Sequence, residues 1–345
     1  MTKEKMVAAK HQLAWVFDLN KCIGCQTCSV ACKMLWTQDE GTEHMWWMSV
    51  NTQPGRGTPR DWETMGGGYK NGKVKLGKKP TDEEFGGGWD FNYDEVLRGG
   101  KGRSVSLENV AGSKTWGPNW DEDEGGGEFP NAYFFYLPRL CNHCTQAACV
   151  EACPTGAMFK REEDGLVLRD EAICQGHQAC SRACPYKKIY FNRMRNVSQH
   201  CMGCFPRIEQ GVAPSCVRQC PGRGAFIGFL DDQNSVVSRL VNKWRVALPL
   251  HPEFGTHPNV YYVPPLAPAP LNDDGSINAG ASRIPQGYLQ SLFGSEVDGA
   301  LDTLKVEMDK RRRGETSEVM DALILYDWKD ALGPFTRDPS EIVWA

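Results

Sequence analysis

Cys22-Ile23-Gly24-Cys25-Gln26-Thr27-Cys28-Ser29-Val30-Ala31-Cys32 places four thiols in eleven residues, spaced C-x2-C-x2-C-x3-C. A loop with this spacing can offer three thiolates to one corner of an iron–sulfur cubane. The fourth cysteine, entering a helix, points away toward a neighbouring cluster. Such groups therefore work in pairs, and three more follow: Cys141, Cys144, Cys149 and Cys153; Cys174, Cys180 and Cys184; and Cys201, Cys204, Cys216 and Cys220. Pro154, Pro185 and Pro221 follow the last cysteines of these three groups, whereas Lys33 follows the first.

Fifteen cysteines is an odd number, which disfavours a disulfide framework. Zinc is the serious competitor, because C-x2-C is also a zinc knuckle. Structural zinc usually takes two separated knuckles, so four thiols in one short run favour clusters. The third group is irregular: Cys174-x2-His177-x2-Cys180-x3-Cys184 keeps the spacing with His177 where the second cysteine belongs. The ligands then divide four, four, four and three. Three thiolates suit a [3Fe-4S] cluster, while imidazole on a fourth iron is the chemical rival. His143, inside a cysteine loop, is expected to donate a hydrogen bond.

Short β-rich runs at 13–17, 157–161, 166–169, 189–192 and 197–199 flank the groups, and Asp164-Gly165 suggests a hairpin turn. The fold class expected is α+β, with two ferredoxin-like dicluster modules. Residues 1–32 with 187–245 form the first and 140–186 the second. Between them, 33–139 is a Gly/Trp-rich insertion holding 19 of the 36 glycines and seven of the eleven tryptophans. Its aromatics are expected to anchor a partner subunit; packing over the chain's own clusters is the other reading. His44 is assigned to the same interface. Residues 246–345 read as an extended, then helical clasp. Val297, Ala300, Leu301, Leu304 and Met308 recur at helical spacing after a candidate cap at Ser295, and 318–332 reads as a second helix. Lys310 to Arg313 read as the solvated, dipole-complementing end of the first of these helices.

Net charge −4 and a pI near 6.0 show no nucleic-acid footprint. Mean hydropathy is −0.48, and no apolar run approaches a bilayer span. Residues 1–10 carry neither a signal-peptide core nor a twin-arginine pair. The expectation is a soluble chain that leaves the cytoplasm only with a partner. No acid–base constellation suggests substrate chemistry, so neither a cluster used as Lewis acid nor a zinc scaffold is the favoured reading.

Asp18-Leu19-Asn20-Lys21 before Cys22, Leu140-Cys141-Asn142-His143-Cys144, Phe205-Pro206-Arg207-Ile208-Glu209 and Val246-Ala247-Leu248-Pro249-Leu250 resemble the iron–sulfur β subunits of respiratory molybdenum enzymes. These belong to the nitrate reductase branch of the dimethyl sulfoxide reductase family. Residues 119–123 extend the resemblance, and 317–321 through 335–339 look most similar to ethylbenzene dehydrogenase. The resemblance implies a [4Fe-4S] on Cys22, Cys25, Cys28 and Cys220, nearest the molybdenum subunit. It implies a second on Cys32, Cys201, Cys204 and Cys216, and a third on Cys141, Cys144, Cys149 and Cys184. A [3Fe-4S] falls to Cys153, Cys174 and Cys180, its vacant corner at His177. It further implies a molybdopterin α subunit, a haem b γ subunit and a heterotrimer. Electrons would pass between them, in ethylbenzene-like dehydrogenation or, alternatively, in a selenate, chlorate, nitrate or dimethyl sulfide enzyme. The short chain implies the periplasm, by export with the α subunit, with the cytoplasmic face of the inner membrane as the alternative.

Overall fold

The computed structural model describes residues 8–86 and 124–343. Strand Leu13–Asp18 is buried at every position. Leu13, Trp15 and Phe17 enter one hydrophobic core and Ala14 and Val16 another, so a continuous apolar run suits both of its faces. Strand Ala225–Phe229 runs antiparallel to it, with Leu13 opposite Phe229 and Phe17 opposite Ala225. Val260–Val263 pairs with it in parallel on the other edge, and Leu248–Pro249 completes this four-stranded sheet. The strand before the first cysteine group thus pairs with the strand after the fourth. At its end, Asp18 Oδ1 accepts from the Asn20 amide and the Asn20 side chain, both at 3.0 Å. That Asx turn swings the chain into the first cysteine loop.

Two hairpins carry the middle groups. Met158–Lys160 pairs with Val167–Arg169, and Ile189–Asn192 pairs with Val197–His200. Each cysteine loop feeds a short helix: Thr27–Trp36, Ala148–Glu151, Ala179–Ala183, then Phe205–Ile208 and Ser215–Arg218. The result is a mixed α and β fold of ferredoxin-like character.

The insertion returns on itself, since Ser49–Gln53 pairs antiparallel with Phe135–Arg139. Its described tryptophans face inward. Trp46, Trp47 and Trp62 are buried in the chain's own core, and the Trp36 indole N–H points at the Cys204 sulfur, 3.1 Å away. Three of these four therefore fill the chain's own core, and Trp36 reaches one of its thiols. Trp89, Trp116 and Trp120 lie outside the described residues. His44 likewise sits against the rings of Phe85 and Tyr190.

Beyond the sheet, helices Gln286–Phe293, Val297–Arg312 and Glu318–Ile324 follow. Helix Val297–Arg312 starts without a side-chain cap, so Ser295 does not serve as one. Ser317 caps the next helix by accepting from the Met320 amide at 3.1 Å. That helix stops at Ile324 because Leu325 turns left-handed, at φ +61°. Trp328–Leu332 is a separate 3-10 turn, started by the Asp327 side chain on the Lys329 amide.

Candidate metal centres

One backbone device recurs in all four cysteine loops. Two residues after the first cysteine stands a left-handed residue: Gly24 (φ +66°), His143 (+41°), Gly176 (+70°) and Gly203 (+65°). In three of the loops this turn aims its amide at the first sulfur. Gly203 N–H donates to Cys201 Sγ at 3.4 Å, and the amides of Gly24 and His143 bond Cys22 and Cys141. The next residue is Cys25, Cys144, His177 and Cys204 in turn. His177 thus occupies the second-ligand position by backbone conformation as well as by spacing.

His143 is the one side chain in this glycine place, and its burial explains how the loop holds it. It stacks on Trp15 at 5.4 Å, its Nδ1 accepts from the Val167 amide at 3.1 Å, and its carbonyl accepts from Asn259 at 2.8 Å. The ring was expected to donate a hydrogen bond. It accepts one instead, because the Val167 amide reaches Nδ1, and its Nε2 has no partner among the described residues.

Thiols from distant segments meet. Cys22, Cys25, Cys28 and Cys220 line one shared cavity, with Cys216 on its wall. Cys32 lies in the field of Cys201 and Cys204, and Cys216 in that of Cys204, Cys32 and Cys201. Cys149 feels Cys184, Cys141 and Cys144 in that order. Cys153, Cys174, His177 and Cys180 line a second shared cavity. Burial first, then neighbouring thiols, pushes Cys28 up to about 12. Burial likewise lifts Cys144 and Cys201 to about 12. Cys153 departs from this pattern. Burial raises it, but hydrogen bonds from the Met158 amide at 3.5 Å and from Thr155 outweigh that and leave it below the ordinary thiol. Cys180 Sγ lies 3.3 Å from Ser198 Oγ. Such contacts tune a bound cluster through its sulfurs.

Sequence reading missed a set of buried cations. Burial pushes Lys188 down to about 7, Lys160 to about 8 and Arg139 to about 10. Arg139 stacks 3.6 Å over Trp62 and donates to the carbonyls of Thr58 (2.9 Å) and Tyr186 (2.7 Å). Lys160 donates to the Gly165 carbonyl at 2.8 Å and the Cys144 carbonyl at 3.3 Å. A run such as Lys187-Lys188 carries no sequence sign of burial.

The donor set fits clusters better than single ions. Tetrahedral zinc at 2.3 Å would draw its sulfurs to about 3.8 Å from one another. Among the described residues no three Cys, His, Asp or Glu side chains are arranged to hold one metal ion. The thiols stand instead in groups from distant segments around shared cavities, and a bound cluster would gather their thiolates in sets of four or three.

A ferredoxin-like protein built to hold iron–sulfur clusters is what this geometry defines. Residues 132–229 match the 4Fe-4S dicluster domain family. Over 329 residues the chain is 52% identical to the selenate reductase subunit beta of Thauera selenatis, covering 94% of this chain and 99% of that one. It is 52% identical to the chlorate reductase subunit beta of Ideonella dechloratans, with 94% and 99% covered. It is 50% identical to the dimethylsulfide dehydrogenase subunit beta of Rhodovulum sulfidophilum, with 92% and 97% covered. The chain belongs to the β subunits of the dimethyl sulfoxide reductase family of molybdenum enzymes. It is the iron–sulfur electron-transfer component of such a complex, works beside a catalytic α subunit, and is not itself catalytic. These relatives favour the selenate, chlorate or dimethyl sulfide alternative over the ethylbenzene-like assignment. No helix among the described residues is long and apolar enough to cross a membrane.

Proposed function

We propose that this chain passes single electrons through three [4Fe-4S] clusters and one [3Fe-4S] cluster between a molybdopterin α subunit and a haem b γ subunit. The α subunit is a reductase of an oxyanion of the selenate or chlorate kind, so electrons run inward. The ligand sets are Cys22, Cys25, Cys28 and Cys220; Cys32, Cys201, Cys204 and Cys216; Cys141, Cys144, Cys149 and Cys184; and Cys153, Cys174 and Cys180. The observation that carries the reading is the meeting of Cys220 with Cys22, Cys25 and Cys28 in one cavity, far apart in sequence. Such sharing is what paired cluster loops require. The half identity to a dimethylsulfide dehydrogenase subunit supports a second reading, in which electrons run outward.

His177 supports the three-iron assignment by standing, with no thiol, at the second-ligand place beside Cys153, Cys174 and Cys180. The proposal locates the complex in the periplasm. In its support, the chain spans 99% of the selenate and chlorate subunits but 81% of the respiratory nitrate reductase 1 beta chain of Escherichia coli. Anaerobic purification of the complex tests these points together. Iron and sulfide should match four clusters, and the oxidised complex should show a [3Fe-4S] paramagnetic signal that His177→Cys abolishes. Reduced viologen should be oxidised by selenate or chlorate. Turnover with dimethyl sulfide alone would select the second reading. Fractionation that leaves the complex in the cytoplasm would overturn the location.

A further inference from the structure

Lys188, four residues past Cys184, is 1% exposed. Its Nζ donates to the Trp46 carbonyl at 2.9 Å, Ser49 Oγ at 3.1 Å and the Tyr190 hydroxyl at 3.2 Å, all neutral acceptors. Among the described residues no carboxylate forms an ion pair with it. The acidic groups whose field reaches it are the thiols of Cys32, Cys201 and Cys184, and Arg139 adds repulsion. A buried ammonium without an opposite charge costs several kcal/mol. Burial alone would let Lys188 lose its proton near neutrality, so an anion beside it is what would keep the ammonium charged.

Lys187 and Arg207 also have no carboxylate in range, but each reaches one thiol set only, and three further basic side chains near the thiols differ in two respects. Lys21 has Asp18 beside it and reaches Cys220. Lys160 has Asp164 in range and reaches Cys144, Cys141 and Cys149. Arg169 pairs with Glu171 and reaches Cys174 and Cys180. Each attends one thiol set and has a carboxylate of its own. Of these four, only Lys188 reaches two sets and has no carboxylate.

We propose that Lys188 is a fixed positive charge shared by the second and third clusters, holding the midpoint potentials of both above what their thiolates alone would give. This rests on the ligand sets of the preceding section. A thiolate-ligated cluster is anionic and gains one more negative charge on reduction. A nearby buried cation stabilises the reduced form more than the oxidised form, and low local polarity leaves that attraction little screened. The three neutral acceptors fix where the charge sits, so Lys188 is a positioning residue for electron passage between the two middle centres.

The test is a paramagnetic redox titration of the purified complex carrying Lys188→Met, Lys188→Gln or Lys188→Arg, with iron and sulfide measured first. In the Met and Gln variants two of the four midpoint potentials should fall by at least ~59 mV. That is a tenfold change in the reduced-to-oxidised ratio of a one-electron couple. The other two should move less, and Arg should restore the pair. Gln keeps a donor for the Trp46 carbonyl if Met does not assemble. Retention of clusters by Arg and by neither neutral variant also supports the charge. Four unchanged potentials, a common fall of all four, or loss of clusters in the Arg variant too would overturn the inference. A wild-type complex with fewer than four centres would instead refute the ligand sets.

Discussion

Gly203→Ala is a sharp test of the loop geometry. The residue sits at φ +65°, and a Cβ there would stand 2.6 Å from Leu166 Cδ2 and 2.9 Å from Cδ1. An L-residue in the left-handed region costs about 1–2 kcal/mol. Leu166 is fully buried, so the clash adds an overpacking cost of about 1–3 kcal/mol. Together the loop loses about 2–5 kcal/mol. The clash alone amounts to roughly a 5- to 150-fold rise in any equilibrium that opens this loop. Chelator-driven iron loss from the purified complex, followed by cluster absorbance, reads that opening. Gly72→Ala is the control, with φ +72° and nothing within 4 Å of the added carbon, and it should leave iron loss near wild type. The double variant Gly203→Ala/Leu166→Ala removes the clashing methyls, so its iron should leave more slowly than the two single effects predict. Costs that add to within about 0.5 kcal/mol, as for sites that do not touch, would refute the reasoning. So would a Gly203→Ala complex as durable as the control.

Trp36→Phe keeps an aromatic ring but removes the indole N–H that lies 3.1 Å from Cys204 Sγ. Hydrogen bonds to charged groups contribute about 1.5–3 kcal/mol, which caps the fall in that centre's potential at ~130 mV; an unchanged redox titration would count against the contact. Inserting iron and sulfide into the metal-free chain should release protons, since burial leaves Cys28, Cys144 and Cys201 protonated up to about pH 12. Metal uptake should then strengthen as pH rises from neutrality, and calorimetry in buffers of different ionisation heat measures the release. Gly299→Ala lies in helix Val297–Arg312 with open space around its new carbon; a gain of about 0.5–1 kcal/mol should slow exchange of the neighbouring amides, and faster exchange would refute it.

What could be read from the chain and what could not divide along one physical line. The loop that supplies most of a cluster's ligands is local in sequence: its cysteines, its left-handed turn and its following helix lie within one short run. The loops, the flanking hairpins Met158–Lys160/Val167–Arg169 and Ile189–Asn192/Val197–His200, and the odd position of His177 were therefore all legible. Interactions that depend on distant pairing were not. Strand Leu13–Asp18 meets Ala225–Phe229 across some two hundred residues, and it is this register that carries Cys220 to Cys22. Spacing alone left that meeting open, and a family resemblance had to suggest it. Leu325 breaks the last helix without a glycine or proline to announce it. The burial of Trp46, Trp47 and Trp62 was not legible either, because composition does not say which way an indole faces. The assignment to an ethylbenzene-type enzyme leaned on 317–339, a stretch with no cysteine in it, so it spoke of ancestry and not of electron chemistry. The buried cations illustrate the same limit more sharply. Lys187 and Lys188 are neighbours of one residue type and both are buried, yet Lys187 donates to the Arg182 carbonyl in the last turn of Ala179–Ala183, whereas Lys188 reaches Trp46 and Ser49. Only the fold distinguishes the two, because only the fold brings Trp46, Ser49 and three thiols from different loops around one ammonium. The charges that would set cluster potentials are therefore long-range properties, even though most of the ligands proposed for each cluster come from one short loop.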